Sequence, residues 1–317
     1  MRALGALVLA CAASLAIAQE FPARTVHLIV PFTPGTGADL LARLLAPRLA
    51  ERWKVAVVTE NKAGATGNIG ADFVARSAPD GHTLLFVATS FGTAPALSKS
   101  LPFDPVKSFA PVALVATSAL LVVAHPALAA HSVPDLVQLA KREPGKLHYS
   151  SPGSGGPQHL AMELLKLESG MDIVHVPYKG SAGALADVVA GHVQVTIAGL
   201  QTVQPHVRSG KLRALGVMSA ERTSALPDVP TLAEHGLREL EVETWYGIFA
   251  PAGTTAPVVA KINAELNLLL NDAAVRSAIE KQGMAVAGGP PEGLGELLGR
   301  ELTRWARVVN ATGIKAD

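Results

Sequence analysis

Val26-His-Leu-Ile-Val-Pro-Phe-Thr-Pro-Gly-Thr-Gly-Ala-Asp-Leu-Leu-Ala-Arg-Leu-Leu-Ala-Pro-Arg-Leu49 reads as a buried strand, a glycine loop and an amphipathic helix, in that order. Val26, Leu28, Ile29 and Val30 form the short apolar run of a strand covered on both faces. Pro34, Gly35 and Gly37 end it, and Asp39 is placed to cap a helix whose apolar face is Leu40, Leu41, Leu44, Leu45 and Leu49. Pro47 falls inside that helix, where a kink is expected. A glycine loop that opens a helix leaves N–H groups unpaired at the positive end of the helix dipole, which suits an anion. The dinucleotide fingerprint fails because its sixth position is Leu40, and no Gly-Lys-Ser or Gly-Lys-Thr supplies a P-loop. A carboxylate remains the natural guest, although the same residues also make a plain strand-to-helix turn with no guest.

A second copy strengthens the anion reading. Leu147-His-Tyr-Ser-Ser-Pro-Gly-Ser-Gly-Gly-Pro-Gln-His-Leu-Ala-Met-Glu-Leu-Leu165 repeats strand, Pro-Gly-x-Gly and helix, so Pro152-Gly153-Ser154-Gly155 is matched to Pro34-Gly35-Thr36-Gly37. Two such junctions facing one another across a crevice suit the two ends of a small diacid. Thr89 and Ser90 end the strand Thr83–Ala88, on the edge where open α/β sheets bind ligands, and their hydroxyls are further candidates.

The N-terminus has the form of a cleaved export signal: Met1-Arg2, an apolar run Ala3–Leu15, then Ala16-Ile17-Ala18 before polar Gln19-Glu20. That run is too short to span a membrane. A lipoprotein alternative at Cys11 has a very short apolar region before it and an imperfect match. Loss of residues 1–18 removes the only cysteine, leaving no disulfide, thiol nucleophile or cysteine metal site. This suits a periplasmic protein. Charges are 27 Lys+Arg against 26 Asp+Glu, and 26 against 26 without Arg2, so nothing drives nucleic-acid or anionic-membrane binding.

Strands expected at 55–59, 83–88, 147–150, 173–176, 193–198 and 212–218 alternate with helices, which gives an α/β class. Ser132 and Asp135 form a capping box for a helix through Arg142, and Asp272 caps a helix from Ala273. Leu120–Ala124 carries the chain into a second unit and Glu243–Pro251 brings it back. The expected organisation is therefore a leader at 1–18, one domain of 19–121 plus 246–317, and a second of 122–245. Two crossings imply a two-strand hinge.

Other chemistries find little support. Ten histidines include no His-Glu-x-x-His and no close pair flanked by acids, so neither a metal nor a cofactor is assigned. Ser154 offers a serine hydrolase as the alternative, but Pro152 stands where a Gly-x-Ser-x-Gly elbow needs glycine. His159 suits either a ligand-facing or a capping and core role, and Lys179 either a charge on the ligand or a solvated loop. Tyr178 and Trp245 are the aromatics of interest. At 4% aromatic residues, the stacking platforms that sugars and bases favour are scarce.

Beyond these readings, Phe21-Pro-x-Arg24, Ile29-Val-Pro-Phe-x-Pro-Gly-x-Gly-x-Asp39, Glu60-Asn-Lys-x-Gly-Ala-x-Gly-x-Ile-Gly-Ala71 and Pro79-Asp-Gly-x-Thr-Leu-Leu85 resemble the tripartite tricarboxylate transporter substrate-binding proteins, the Bug-type receptors. So do Pro144-Gly-Lys-Leu147, Val176-Pro-Tyr-Lys-Gly180, Gly210–Leu215, Leu226-Pro-Asp-Val-Pro-Thr231 and Trp245–Thr254, in the family's order along nearly the whole mature chain. The resemblance implies a type II periplasmic binding protein. It would be a monomer that delivers a small carboxylate to one large and one small integral membrane subunit. It also implies a grip, largely main-chain and water-mediated, from Pro34, Gly35, Thr36, Gly37, Ala38 and Asp39 and from Ser150, Ser151, Gly153, Ser154, Gly155 and His159. Thr89, Ser90, Tyr178, Lys179 and Gly180 would help line the cleft. Thr36 replaces a usual glycine, and Gly199-Leu200-Gln201 stands where the family commonly has an aspartate.

The intact mass of the exported protein is expected to correspond to a chain beginning at Gln19. A species retaining Met1, or one lipidated at Cys11, would contradict the leader.

Overall fold

The opening strand and helix are β1 (Val26–Val30) and α1 (Gly37–Trp53). The structure, a computed structural model, describes residues 21–98 and 100–315; the expected leader at 1–18, Cys11 included, lies outside them. Leu41, Leu45 and Leu49 are buried as expected, but Leu40 is 44% exposed and Leu44 only partly buried, so the apolar stripe is narrower than the run of leucines suggests. Pro47 sits on the exposed side, and α1 continues through it to Trp53.

The chain continues with β2 (Val57–Asn61), α2 (Asn68–Ala75), β3 (Thr83–Ala88), α3 (Ser90–Leu97) and β4 (Phe109–Ala124). Then come α4 (Val133–Arg142), β5 (His148–Ser151), α5 (Pro157–Ser169), β6 (Val174–Pro177), α6 (Ser181–Val189), β7 (Val195–Gly199), α7 (Leu200–Arg208) and β8 (Arg213–Val217). It closes with β9 (Glu243–Pro251), α8 (Ala256–Asn271), α9 (Ala273–Glu280), β10 (Ala285–Val286) and α10 (Pro291–Thr312). The class is α/β, as the alternation predicts. Local signals act as expected at two helix starts: Ser132 Oγ accepts the Asp135 N–H at 3.2 Å, and Asp272 Oδ1 accepts those of Ala274 and Val275 at 2.9 and 3.0 Å. The strand expected at 55–59 is displaced to 57–61, and α3 and α7 are additions to the expected elements.

One sheet runs β2-β1-β3-β9-β4-β7-β5-β6, with β8 and β10 also paired to β4. β1 is parallel to β2 and β3, and β5 is parallel to β6 and β7, while β9 is antiparallel to both β3 and β4. β4 joins the two halves. Its residues Phe109 to Ala119 pair with β9, and Leu120 to Ala124 pair with β7. Both faces are covered, which explains the unbroken apolar runs. Leu28, Phe86 and Ile248 belong to one core and Ile29, Leu85 and Phe249 to another across the first half of the sheet. Val122, Tyr149 and Ile197, against Val123, Val188 and Val217, do the same in the second.

β4 pairs with both halves of the sheet, and β9, which follows β8, pairs with β3 and the first part of β4. A further link is helical: α10 places Leu294 and Leu298 in a first-half core but Trp305 and Val308 in a second-half core. Trp305 is fully buried, and its indole N–H donates to Glu301 Oε2 at 2.7 Å. Replacing so large a buried ring by alanine typically costs about 3–5 kcal/mol. W305A is therefore expected to lose that much in urea unfolding. A loss below about 1 kcal/mol, the size of a surface change, would show that α10 does not fasten the second half.

Candidate functional site

The first loop takes its shape from Gly35, at φ +86°, followed by an extended Thr36 as N-cap (φ −72°, ψ 160°). Asp39 is not the cap. It is the third residue of α1, only 2% exposed, and it reaches back: Oδ2 accepts the Gly35 N–H at 2.9 Å and Oδ1 accepts Asn61 Nδ2 at 2.8 Å. Arg43 Nε lies 3.0 Å from both oxygens. Burial alone raises the pKa of this carboxyl; the bonds from Arg43, Gly35 and Asn61 outweigh it and hold the group below its ordinary range.

The second loop has the same geometry in another register. Gly155, at φ +75°, precedes an extended N-cap at Gly156 (φ −68°, ψ 162°), and the third residue of α5, His159, accepts the Gly155 N–H through Nδ1 at 2.9 Å. Gly35 thus corresponds to Gly155, Thr36 to Gly156 and Asp39 to His159. The Pro-Gly-x-Gly match, which set Gly35 against Gly153, is two residues out of register. Pro152 and Gly153 belong to the turn that meets the next β-unit, where Pro152 O accepts the Gly180 N–H at 2.9 Å; Pro157, at the first helical position, sets the start of α5.

Beside this loop lies a cavity of about 160 Å³. Three helix starts meet it: Gln158 from α5, Ser181 from α6, and Gln201 from α7 with its N-cap Gly199. These helices follow β5, β6 and β7, which are parallel and so end on one edge of the sheet. None of the described residues lining the cavity carries a charge. An anion there meets main-chain N–H groups and the positive ends of three helix dipoles. Thr244 and Tyr246 of β9 also line the cavity. Tyr246 reaches the first loop as well: a Cβ on Gly37 would stand 2.4 Å from its hydroxyl and 2.7 Å from Cζ. Burial pushes the Tyr246 phenol up from its usual pKa.

The residues expected to bind ligand divide into groups. Ser150 Oγ donates to Ala184 O at 2.9 Å, and Ser151 Oγ lies 2.6 Å from His175 Nε2. Thr89 is buried, its hydroxyl accepting the Trp245 N–H at 2.8 Å, and Ser90 opens α3 half-buried. Trp245 itself is core, 1% exposed. The Tyr178 hydroxyl donates to Asp187, which moves the phenol up to about 12; Lys179 is exposed and Gly180 is the N-cap of α6. The cavity wall adds Gln158, Ser181, Thr196, Thr202 and Tyr246, which sequence reasoning missed, and Gln201, which it noted only as a departure from the family. Gln201 is also tied to the crossing strand, accepting from Ser118 Oγ of β4 at 2.9 Å. The signal for α7 was present in Leu200, Val203 and Val207, but Pro205 obscured it.

Residues 41–314 match the family described as "Tripartite tricarboxylate transporter family receptor". Protein BugT of Bordetella pertussis is 37% identical over 300 residues, 94% of this chain and 92% of its own. Among solved structures, an R. palustris protein with adipate is similar at TM-score 0.77 and 34% identity, covering 93% of this chain and 99% of that one. MatC from Rhodopseudomonas palustris with bound malate is similar at TM-score 0.74 and 34% identity, covering 91% and 100%.

The contact of Gly37 with Tyr246 can be isolated by a double-mutant cycle. Gly37→Ala is expected to cost about 1–3 kcal/mol by overpacking, and Tyr246→Ala should relieve most of that cost. An equal cost for Gly37→Ala in both backgrounds would contradict the contact.

Proposed function

Because the chain belongs to the tripartite tricarboxylate transporter receptor family, we propose that this solute-binding receptor works in the periplasm and takes its carboxylate in the cavity where α5, α6 and α7 begin. The observation that carries this is the pairing of three helix starts with a wall whose described residues carry no charged side chain. Adipate and malate in two similar structures support a small di- or hydroxycarboxylate as guest. In this reading the loops at 34–39 and 150–155 close on the ligand as residues 122–245 move against the rest, about β4 and β9. Thr89, Ser90, His159 and Tyr178–Gly180 shape the cleft. A leader ending at Ala18 exports the chain, and the loaded receptor, a monomer, hands its ligand to one large and one small membrane subunit. Among the described residues, no helix is long and apolar enough to cross a membrane itself. A hydrolase reading on Ser154 has no comparable support: that residue stands three positions before α5, outside any Gly-x-Ser-x-Gly turn.

The affinity follows from the donors. Hydrogen bonds to a charged group contribute about 1.5–3 kcal/mol each, and a helix end about 0.3–2 kcal/mol for a nearby anion. Roughly four such bonds leave about 8 kcal/mol after binding costs, the micromolar range.

A thermal-shift screen over dicarboxylates, keto acids, amino acids and aromatic acids tests this reading. One class should stabilise the protein, by about 2.7 kcal/mol at a hundredfold excess over Kd. Calorimetry with that acid should show Lys179→Met only several-fold weaker. No shift with any carboxylate would contradict the receptor reading, and complete loss in Lys179→Met would contradict main-chain capture.

A further inference from the structure

The two loops are braced by one device with two different acceptors. In each, a left-handed glycine one residue before the N-cap turns its N–H back over the first helical turn, where the third helical side chain takes it. Neither N-cap side chain accepts an N–H of the first helical turn: the Thr36 hydroxyl donates to Thr33 O at 3.1 Å instead, and Gly156 has no side chain. The bond from the third residue therefore closes the turn, in the manner of the reaching-back half of a capping box.

Asp39 accepts as an anion and is held ionised by Arg43, Gly35 and Asn61 against the pull of burial. His159 accepts through Nδ1, which requires that nitrogen to be unprotonated. The ring is 6% exposed and stacks on His175 of β6 with centroids 3.8 Å apart and planes 11° from parallel. His175 in turn lies against Ser151 Oγ, which donates to Gly153 O at 3.0 Å. The stacked pair thus touches the second loop at both ends. Other titratable groups packed here include Tyr149 of β5, stacked on His175 at 4.8 Å, and Glu163 and Lys166 of α5. Tyr149 donates to Glu163 at 2.6 Å and Lys166 pairs with it at 2.7 Å.

We propose that His159 is the positioning residue of the second loop, its neutral imidazole fixing Gly155 as Asp39 fixes Gly35, so that this half of the ligand grip loosens when the ring takes a proton. Protonation at Nδ1 turns the acceptor into a donor that faces a donor, and it sets a cation against the stacked ring of His175. The first loop lacks this dependence because Asp39 stays ionised through the same pH range. The consequence for ligand rests on the carboxylate reading of the site; the brace does not.

The test is amide NMR on the full mature chain, titrated between about pH 8 and pH 5, where imidazole gains its charge. After correction for intrinsic rates, exchange at Gly155 should quicken about tenfold, the scale of one net hydrogen bond. Its midpoint should match that of the His159 ring signals, while Gly35 stays constant. His159→Asn, whose Oδ1 replaces Nδ1 as acceptor, should keep Gly155 protected at every pH, and His159→Leu should leave it unprotected at every pH. A Gly155 amide indifferent to the ring's titration in the wild type overturns the positioning role, even if a variant fails to fold. Calorimetry with succinate is the second arm. Affinity is expected to follow Gly155 protection across pH and variants. Succinate affinity that stays flat while Gly155 responds overturns the link from loop to grip. If succinate fails to bind every form while Gly155 behaves as described, the fault lies in the carboxylate reading and the brace stands.

Discussion

The backbone N–H groups at a helix start have no partner within the helix, and the site is built on that constraint. Parallel strands send their following helices off the same edge of a sheet, so β5, β6 and β7 bring three sets of such groups to one place. Among the described residues the wall has no charged side chain, which leaves those groups and the helix dipoles as what an anion would meet. The same constraint explains the two loops. In each, the third helical side chain takes the N–H of the preceding left-handed glycine and so closes the turn that leads into the helix.

β4 gives this arrangement its second property. Its sixteen residues belong to both halves of the sheet, paired with β9 along the first part and with β7 and β8 along the last. Ser118, just before the change of partner, bonds both Gln201 of α7 and the Gly283 carbonyl. A cavity residue is therefore tied to the point where the chain passes between halves. α10 fastens the same two halves from outside through Trp305. Any motion about β4 and β9 must be one this helix allows.

The sequence was most legible where local chemistry decides. β3 and β9 fall on the expected residues, and Ser132 and Asp272 cap the helices assigned to them. It was least legible where a rule of thumb met its exception. α3 and α7 each carry proline as their sixth residue, which reads as a helix breaker, and without α7 Thr202 went unseen and Gln201 stood only as a departure from the family. The two glycine loops were aligned on Pro-Gly-x-Gly letters, whereas the backbone pairs them by which glycine is left-handed. Nothing near Gly37 announces Tyr246, because that contact depends on the sheet bringing β9 beside β1's loop.

A crystal structure with the tightest-binding carboxylate tests main-chain capture most directly. Its carboxylate oxygens should lie about 2.7–3.2 Å from backbone N–H groups of the loops and of the starts of α5, α6 and α7, directly or through one water. No lysine or arginine nitrogen should be within hydrogen-bond distance. A carboxylate paired with Lys179, or with any guanidinium, would contradict the account.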